Sequence, residues 1–122
     1  MARILVVDDD PVIRQFLRDV LEKLLGHTVT EASSLQKVLQ LGSPPPVDFI
    51  FLDQTLPDGT ALDVCQALSQ LSGWGEVPKW LITGEKPLEW DPELWSRFKV
   101  RGYTVKPIRI DQIEKILNKE LR

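Results

Sequence analysis

Residues 4–11, Ile4-Leu5-Val6-Val7-Asp8-Asp9-Asp10-Pro11, decide the fold class. Four consecutive apolar residues, three of them β-branched, describe a short strand buried on both faces, as strands of a parallel sheet are. Three aspartates stop it. Asp10-Pro11 then supplies a helix N-cap followed by proline at the first helical position. Apolar residues recur as Val12/Ile13, Phe16/Leu17, Val20/Leu21 and Leu24/Leu25, an amphipathic stripe that runs to Gly26 as C-cap. A buried strand passing straight into a helix is the first half of a parallel crossover unit.

The rest of the chain repeats the pattern. Thr28-Val29-Thr30 reads as a second strand, and Ser34 caps a helix carrying Leu35, Val38, Leu39 and Leu41 before Gly42. Pro44-Pro45-Pro46 is a stiff extended connection to Phe49-Ile50-Phe51-Leu52, the most apolar run, which stops at Asp53. Leu62, Cys65, Leu68 and Leu71 mark a third helix. Trp80-Leu81-Ile82 marks a fourth strand ending at Thr83-Gly84. Leu94, Trp95 and Phe98 mark a short fourth helix from about Pro92. Gly102-Tyr103-Thr104-Val105 is a fifth strand, and Ile113, Ile116, Leu117 and Leu121 form the stripe of a closing helix. Five strands alternating with five helices predict an α/β fold, a doubly wound parallel sheet covered on both faces.

Composition narrows the function. At 122 residues, 43% hydrophobic and 27% charged, the chain suits one folded domain over 1–122. A net charge of −3 without a Lys/Arg run argues against direct nucleic-acid binding. The apolar runs are too short to span a membrane or to serve as a signal peptide, so a cytoplasmic location is expected. The single cysteine, Cys65, excludes an internal disulfide and is expected to pack in the core.

In open parallel sheets the ligand site lies beyond the carboxyl ends of the strands. There the pattern gathers Asp8-Asp9, Asp53, Thr83 and Lys106. Carboxylates converging at low effective dielectric call for a hard divalent cation, and Mg2+ suits oxygen ligands that leave room for water and phosphate. An aspartate beside a metal, a hydroxyl and a lysine fits phosphoryl transfer onto carboxylate. Asp53 is then the nucleophile, Asp8 and Asp9 hold the metal, Thr83 donates to the phosphoryl group, and Lys106 sets a positive charge beside it.

The motifs Ile4–Asp10, Phe51-Leu52-Asp53-Gln54-Thr55-Leu56-Pro57-Asp58-Gly59, Leu81-Ile82-Thr83-Gly84 and Gly102-Tyr103-Thr104-Val105-Lys106-Pro107 occur in order, each at a predicted strand end. Together they resemble, from end to end, a stand-alone receiver domain of the bacterial response regulators, chemotaxis-regulator-like. The resemblance implies a flavodoxin-like (βα)5 sheet of order 2-1-3-4-5 and a phosphoacceptor domain that assists its own phosphorylation and dephosphorylation, not an enzyme in the ordinary sense. It implies Asp9 and Asp53 as direct Mg2+ ligands, Asp8 partly through water, and the backbone carbonyl of Thr55 as a further ligand. It also implies a cis Lys106-Pro107 bond, Tyr103 as an aromatic switch paired with Thr83, and Thr55 and Glu85 as positions that tune phosphoryl lifetime. The implied partners are a histidine kinase or histidine phosphotransfer protein, and a downstream protein bound by the fourth helix, fifth strand and fifth helix. The domain would be a monomer or a phosphorylation-dependent dimer. With the chain ending after the last predicted helix, output is expected through protein contact. One departure is Ala61, where many members carry glycine; Gly59 is expected to supply the backbone freedom instead.

Several residues admit a plainer reading. Asp10 reads as a cap and not a ligand. Tyr103 reads equally as a switch or as half-buried packing. His27 reads as a loop residue and not a phosphoacceptor. Trp80 is expected to fill the core while the other tryptophans sit partly buried near loops, with Trp90 and Trp95 as a candidate docking patch. The alternative within the same fold is a degenerate receiver acting as a phosphorylation-independent interaction module. A haloacid-dehalogenase-type phosphatase is disfavoured, because that nucleophile sits on the first strand of a longer chain.

Overall fold

The computed structural model describes residues 1–43, 46–86 and 90–121. β1 (Arg3–Val7), β2 (Thr28–Ala32), β3 (Phe49–Asp53), β4 (Lys79–Thr83) and β5 (Val100–Val105) form one sheet in the order β2-β1-β3-β4-β5, all parallel. This is the expected doubly wound order. Helices α1 (Pro11–Arg18), α2 (Leu35–Leu39), α3 (Ala61–Ser69), α4 (Pro92–Arg97) and α5 (Ile110–Glu120) make the crossovers.

Strand alternation divides the core in two. Leu5, Val7, Ile50, Leu52 and Leu81 face Val38, Val64, Leu68 and Trp95 from α2, α3 and α4. Ile4, Val6, Phe49, Phe51 and Ile82 face Leu17, Leu21, Ile113 and Leu117 from the α1 and α5 side. Each such side chain taken fully out of water contributes about 1.5–3 kcal/mol, which makes β3, buried along its whole length, the spine of the domain. Asp53 therefore stands at the end of a strand that is buried throughout.

The two expected N-caps form, Asp10 accepting from the Val12 amide at 2.9 Å and Ser34 from Lys37 at 3.1 Å; the structure adds a capping box of Thr60 and Asp63 at the start of α3. Cys65 is buried in the core as expected.

Four details differ from the sequence reading. The first helix does not stay α-helical to Gly26: Asp19–Leu24 is a π-helical stretch, with the Leu25 amide bonded to the Val20 carbonyl at 3.1 Å. The wider turn rotates the stripe, so Leu24 points into solvent. Second, a two-stranded hairpin, Thr55–Leu56 with Gly59–Thr60, sits between β3 and α3. Third, Gly59 does not adopt a positive φ; it is small because a Cβ there would lie 3.3 Å from both Asp63 Cβ and Leu35 Cδ2. Fourth, the fully buried indole is Trp74, on a 3-10 turn (Trp74–Glu76), its Nε1 donating to the Gly42 carbonyl at 2.7 Å. Trp80 is only half-buried, because it lies across β5 at Gly102 and bonds Thr104 Oγ1 at 2.9 Å. Pro44 and Pro45 of the triple proline lie outside the described residues; so does Pro87.

Candidate phosphoryl site

The strand order reverses between β1 and β3, and beyond their carboxyl ends the parallel fold opens a crevice. Asp8 follows β1 and is almost wholly buried, Asp9 beside it is exposed, and Asp53 closes β3 with 6% of its surface accessible. One carboxylate oxygen from each of these three lies within 4.8 Å of the other two. From β4 comes Thr83, also buried, and just past β5 comes Lys106, half-buried, whose amide bonds the Thr83 carbonyl at 2.8 Å. Lys106 Nζ stands 3.0 Å from Asp8 Oδ2 and 3.4 Å from Asp53 Oδ1. An open cleft of about 460 Å3, lined by Asp53, Thr55, Thr83, Glu85 and Lys106, gives access from solvent. The five residues Asp8, Asp9, Asp53, Thr83 and Lys106 are thus brought together, with Thr55 on the cleft wall. The Lys106-Pro107 peptide is cis.

The electrostatics are those of crowded acids. Burial, and then the neighbouring Asp8 carboxylate, push the Asp53 carboxyl up to about 6, with the Lys106 ammonium acting in the opposite direction. For Lys106 burial works against the charge, but attraction to the Asp8 and Asp53 carboxylates prevails and holds it above its ordinary value. Asp8 Oδ1 accepts from the Asp10 amide at 2.9 Å, whereas Asp8 Oδ2 is buried with no donor in hydrogen-bonding geometry among the described residues. The close Lys106 contact to that atom is an ion pair without hydrogen-bond alignment. A buried, charged oxygen left in that condition, facing two further carboxylates, is the donor set that a hard cation and its waters satisfy. The residues present therefore fit Mg2+.

Two expected site residues point elsewhere. Thr83 Oγ1 donates to the Glu85 carbonyl at 2.8 Å and lies 3.3 Å from the Glu85 amide, so the hydroxyl is folded into its own loop. Tyr103, on the edge strand, is half-buried against Trp90, with ring centroids 5.0 Å apart, and Trp90 stacks on Trp95 at 5.6 Å. Trp95 thereby belongs to the core, and Trp90 forms its outer layer. His27 accepts from the Ala2 amide through Nδ1 at 3.0 Å, away from the site. One contact escaped the sequence reading: Arg14 Nη1 donates to the Asp8 carbonyl at 2.7 Å. Its signal lay in Arg14 and Arg18, one turn apart on the same helix face.

A parallel sheet of order 2-1-3-4-5 defines the flavodoxin-like class of fold, and here an acidic pocket lies where the order reverses. Residues 4–118 match the response regulator receiver domain family, and the chain belongs to that family of two-component signalling domains. It is 33% identical over 122 residues to the KDP operon transcriptional regulatory protein KdpE of Escherichia coli, covering all of this chain and 52% of that protein. It is 29% identical over 118 residues to protein PilH of Pseudomonas aeruginosa, covering 97% of this chain and 96% of that one. The chain thus spans about half of one relative and nearly all of the other. The chemotaxis protein CheY4 of Vibrio cholerae superposes with a TM-score of 0.86 over 98% of both chains at 26% identity. Among the described residues no helix is long and apolar enough to cross a membrane.

Proposed function

We propose that residues 1–122 act as one cytoplasmic receiver unit that accepts a phosphoryl group on Asp53 from a histidine kinase or histidine phosphotransfer protein. The observation that carries this reading is the Asp53 carboxylate at the floor of an open cleft, within reach of Asp8, Asp9 and Lys106. An Asp53 oxygen attacks phosphorus, the bond from phosphorus to the donor's imidazole nitrogen breaks, and the imidazole leaves. Asp9, Asp53 and the Thr55 backbone carbonyl would hold Mg2+ directly, with Asp8 partly through water. When bound, the ion neutralises charge on the phosphoryl oxygens.

The protein's own groups do the remainder. Lys106, already paired with Asp53, moves its ammonium to a phosphoryl oxygen as the carboxylate becomes an acyl phosphate. Thr83 leaves the Glu85 carbonyl to donate to another. That movement shifts Gly84, Glu85 and Lys86, and Tyr103 turns with them, altering the surface of α4, β5 and α5 that a downstream protein binds. Thr55 and Glu85, on the cleft wall, regulate the approach of water and so the lifetime of the acyl phosphate.

Binding of the phosphoryl mimic beryllofluoride with Mg2+, followed by amide NMR, tests the reading. Stoichiometric binding with shifts at Thr83, Tyr103 and Lys106, abolished in Asp53→Ala, is expected. An unperturbed wild-type spectrum would contradict it and favour a phosphorylation-independent interaction module.

A further inference from the structure

The acidic turn after β1 has to hold the Asp8 and Asp9 side chains in register, yet β1 ends at Val7. Asp8 is the last residue tied to the sheet, its amide donating to the carbonyl of Ala32, the final residue of β2, at 3.1 Å. The Asp8 carbonyl, which orients the peptide leading to Asp9, is held from α1: Arg14 Nη1 reaches it at 2.7 Å. Arg14 is fixed in turn by Glu31 on β2, Nε to Oε1 at 3.0 Å. The second Glu31 oxygen takes Arg18 Nε at 2.7 Å, and Arg18 also reaches Glu22. All three side chains of this Arg14–Glu31–Arg18 triad are at least two-thirds buried. A planar guanidinium with both edges engaged cannot rotate without releasing one of them, so edge strand, helix and acidic turn form one rigid unit.

We propose that Arg14, braced by Glu31, is a positioning residue for the cation-binding carboxylates, setting Asp8 and Asp9 through the peptide between them. The inference rests on the proposed Mg2+ reading. Its sign separates it from simple electrostatics. A guanidinium near a cation site repels the cation, so loss of its charge alone would tighten Mg2+ binding. Loss of the positioning bond weakens it, and partners behind first ligands typically govern affinity by about tenfold or more. Arg18 shares Glu31 but does not touch Asp8, which makes it the matched control.

Mg2+ affinity, read from tryptophan fluorescence or calorimetry on the intact chain, decides the matter alongside thermal unfolding of the same samples. The expected result is binding about tenfold weaker in Arg14→Met, within about twofold of wild type in Arg18→Met, and partly restored in Arg14→Lys, which keeps one donor. Glu31→Gln retains an acceptor for Arg14 and is expected to weaken binding by less than Arg14→Met; it also serves as the milder probe should Arg14→Met unfold. Unchanged or tighter binding in Arg14→Met, or in Glu31→Gln if Arg14→Met unfolds, overturns the proposal. Equal losses in Arg14→Met and Arg18→Met also overturn it. Absence of Mg2+ binding by the wild-type protein instead sinks the reading on which it rests.

Discussion

Thr83 Oγ1 donates its proton to the Glu85 carbonyl, 2.8 Å away, and so faces its own loop instead of the acidic cleft. On the proposed reading the hydroxyl exchanges that acceptor for a phosphoryl oxygen, and the exchange would couple Asp53 to the surface beyond β4. Thr83→Ala is therefore expected to be phosphorylated on Asp53 yet to leave the Glu85 and Lys86 amides unmoved. Hydrogen exchange with and without phosphodonor reads this out; a wild-type response retained in Thr83→Ala would place the coupling elsewhere. The lost hydrogen bond should lower stability by only about 1 kcal/mol.

The metal-free protein should be weakened by the charge of Asp53. The folded-state value of Asp53, about 6, lies above the ordinary aspartate value, so between those two limits the folded protein binds more protons than the unfolded chain. Stability from this group is present at low pH and lost as pH rises toward 6. Asp53→Asn should accordingly stabilise the protein at neutral pH in a chelator, by on the order of 1–3 kcal/mol, and have little effect near pH 4. Denaturant unfolding at both pH values checks the sign, and excess Mg2+ should remove most of the difference.

Lys106 sits between two buried carboxylates, with ion-pair distances of 3.0 Å to Asp8 and 3.4 Å to Asp53. Lys106→Met leaves those charges without their cation and is expected to destabilise the metal-free fold by about 3 kcal/mol. Urea unfolding in chelator measures it. A loss below about 1 kcal/mol would mean that water already screens the pair.

Gly102 is set by the indole that lies over it. A Cβ there would stand 2.6 Å from Trp80 Cη2, closer than packing allows, so Gly102→Ala should cost about 1–3 kcal/mol. Phosphorylation should persist, since the clash lies on the α5 side of the sheet. Thermal unfolding together with acyl-phosphate yield separates the two effects.

Much of this was legible in the sequence for identifiable reasons. β1 and β3 each carry four consecutive apolar residues, short and rich in β-branched and aromatic side chains as a strand buried on both faces is, and each run halts at an acid of the site. Strand ends of a parallel sheet share one edge, so Asp8, Asp53, Thr83 and Lys106 could be assembled before any coordinate. What escaped depends on distances that periodicity does not encode. The π-helical turn at Asp19–Leu24 shifts one residue of the stripe, and Leu24 and Leu25 are both leucine, so the pattern cannot say which faces inward. Trp74 and Trp80 compete for the core by shape: Gly102 opens a shelf for one, and the Gly42 carbonyl accepts from the other. The direction of the Thr83 hydroxyl, toward the Glu85 carbonyl, is a rotamer choice, and Arg14, marked in the sequence only by its pairing with Arg18 on one helix face, acts on a backbone atom.

The central claim, that Asp53 accepts the phosphoryl group with the help of a divalent cation, is tested most directly by intact mass after incubation with acetyl phosphate, with and without Mg2+, beside Asp53→Ala. A single phosphoryl adduct that requires both Mg2+ and Asp53 is expected. Wild-type protein left unmodified under these conditions and with candidate kinases, or an adduct that survives in Asp53→Ala, would contradict it.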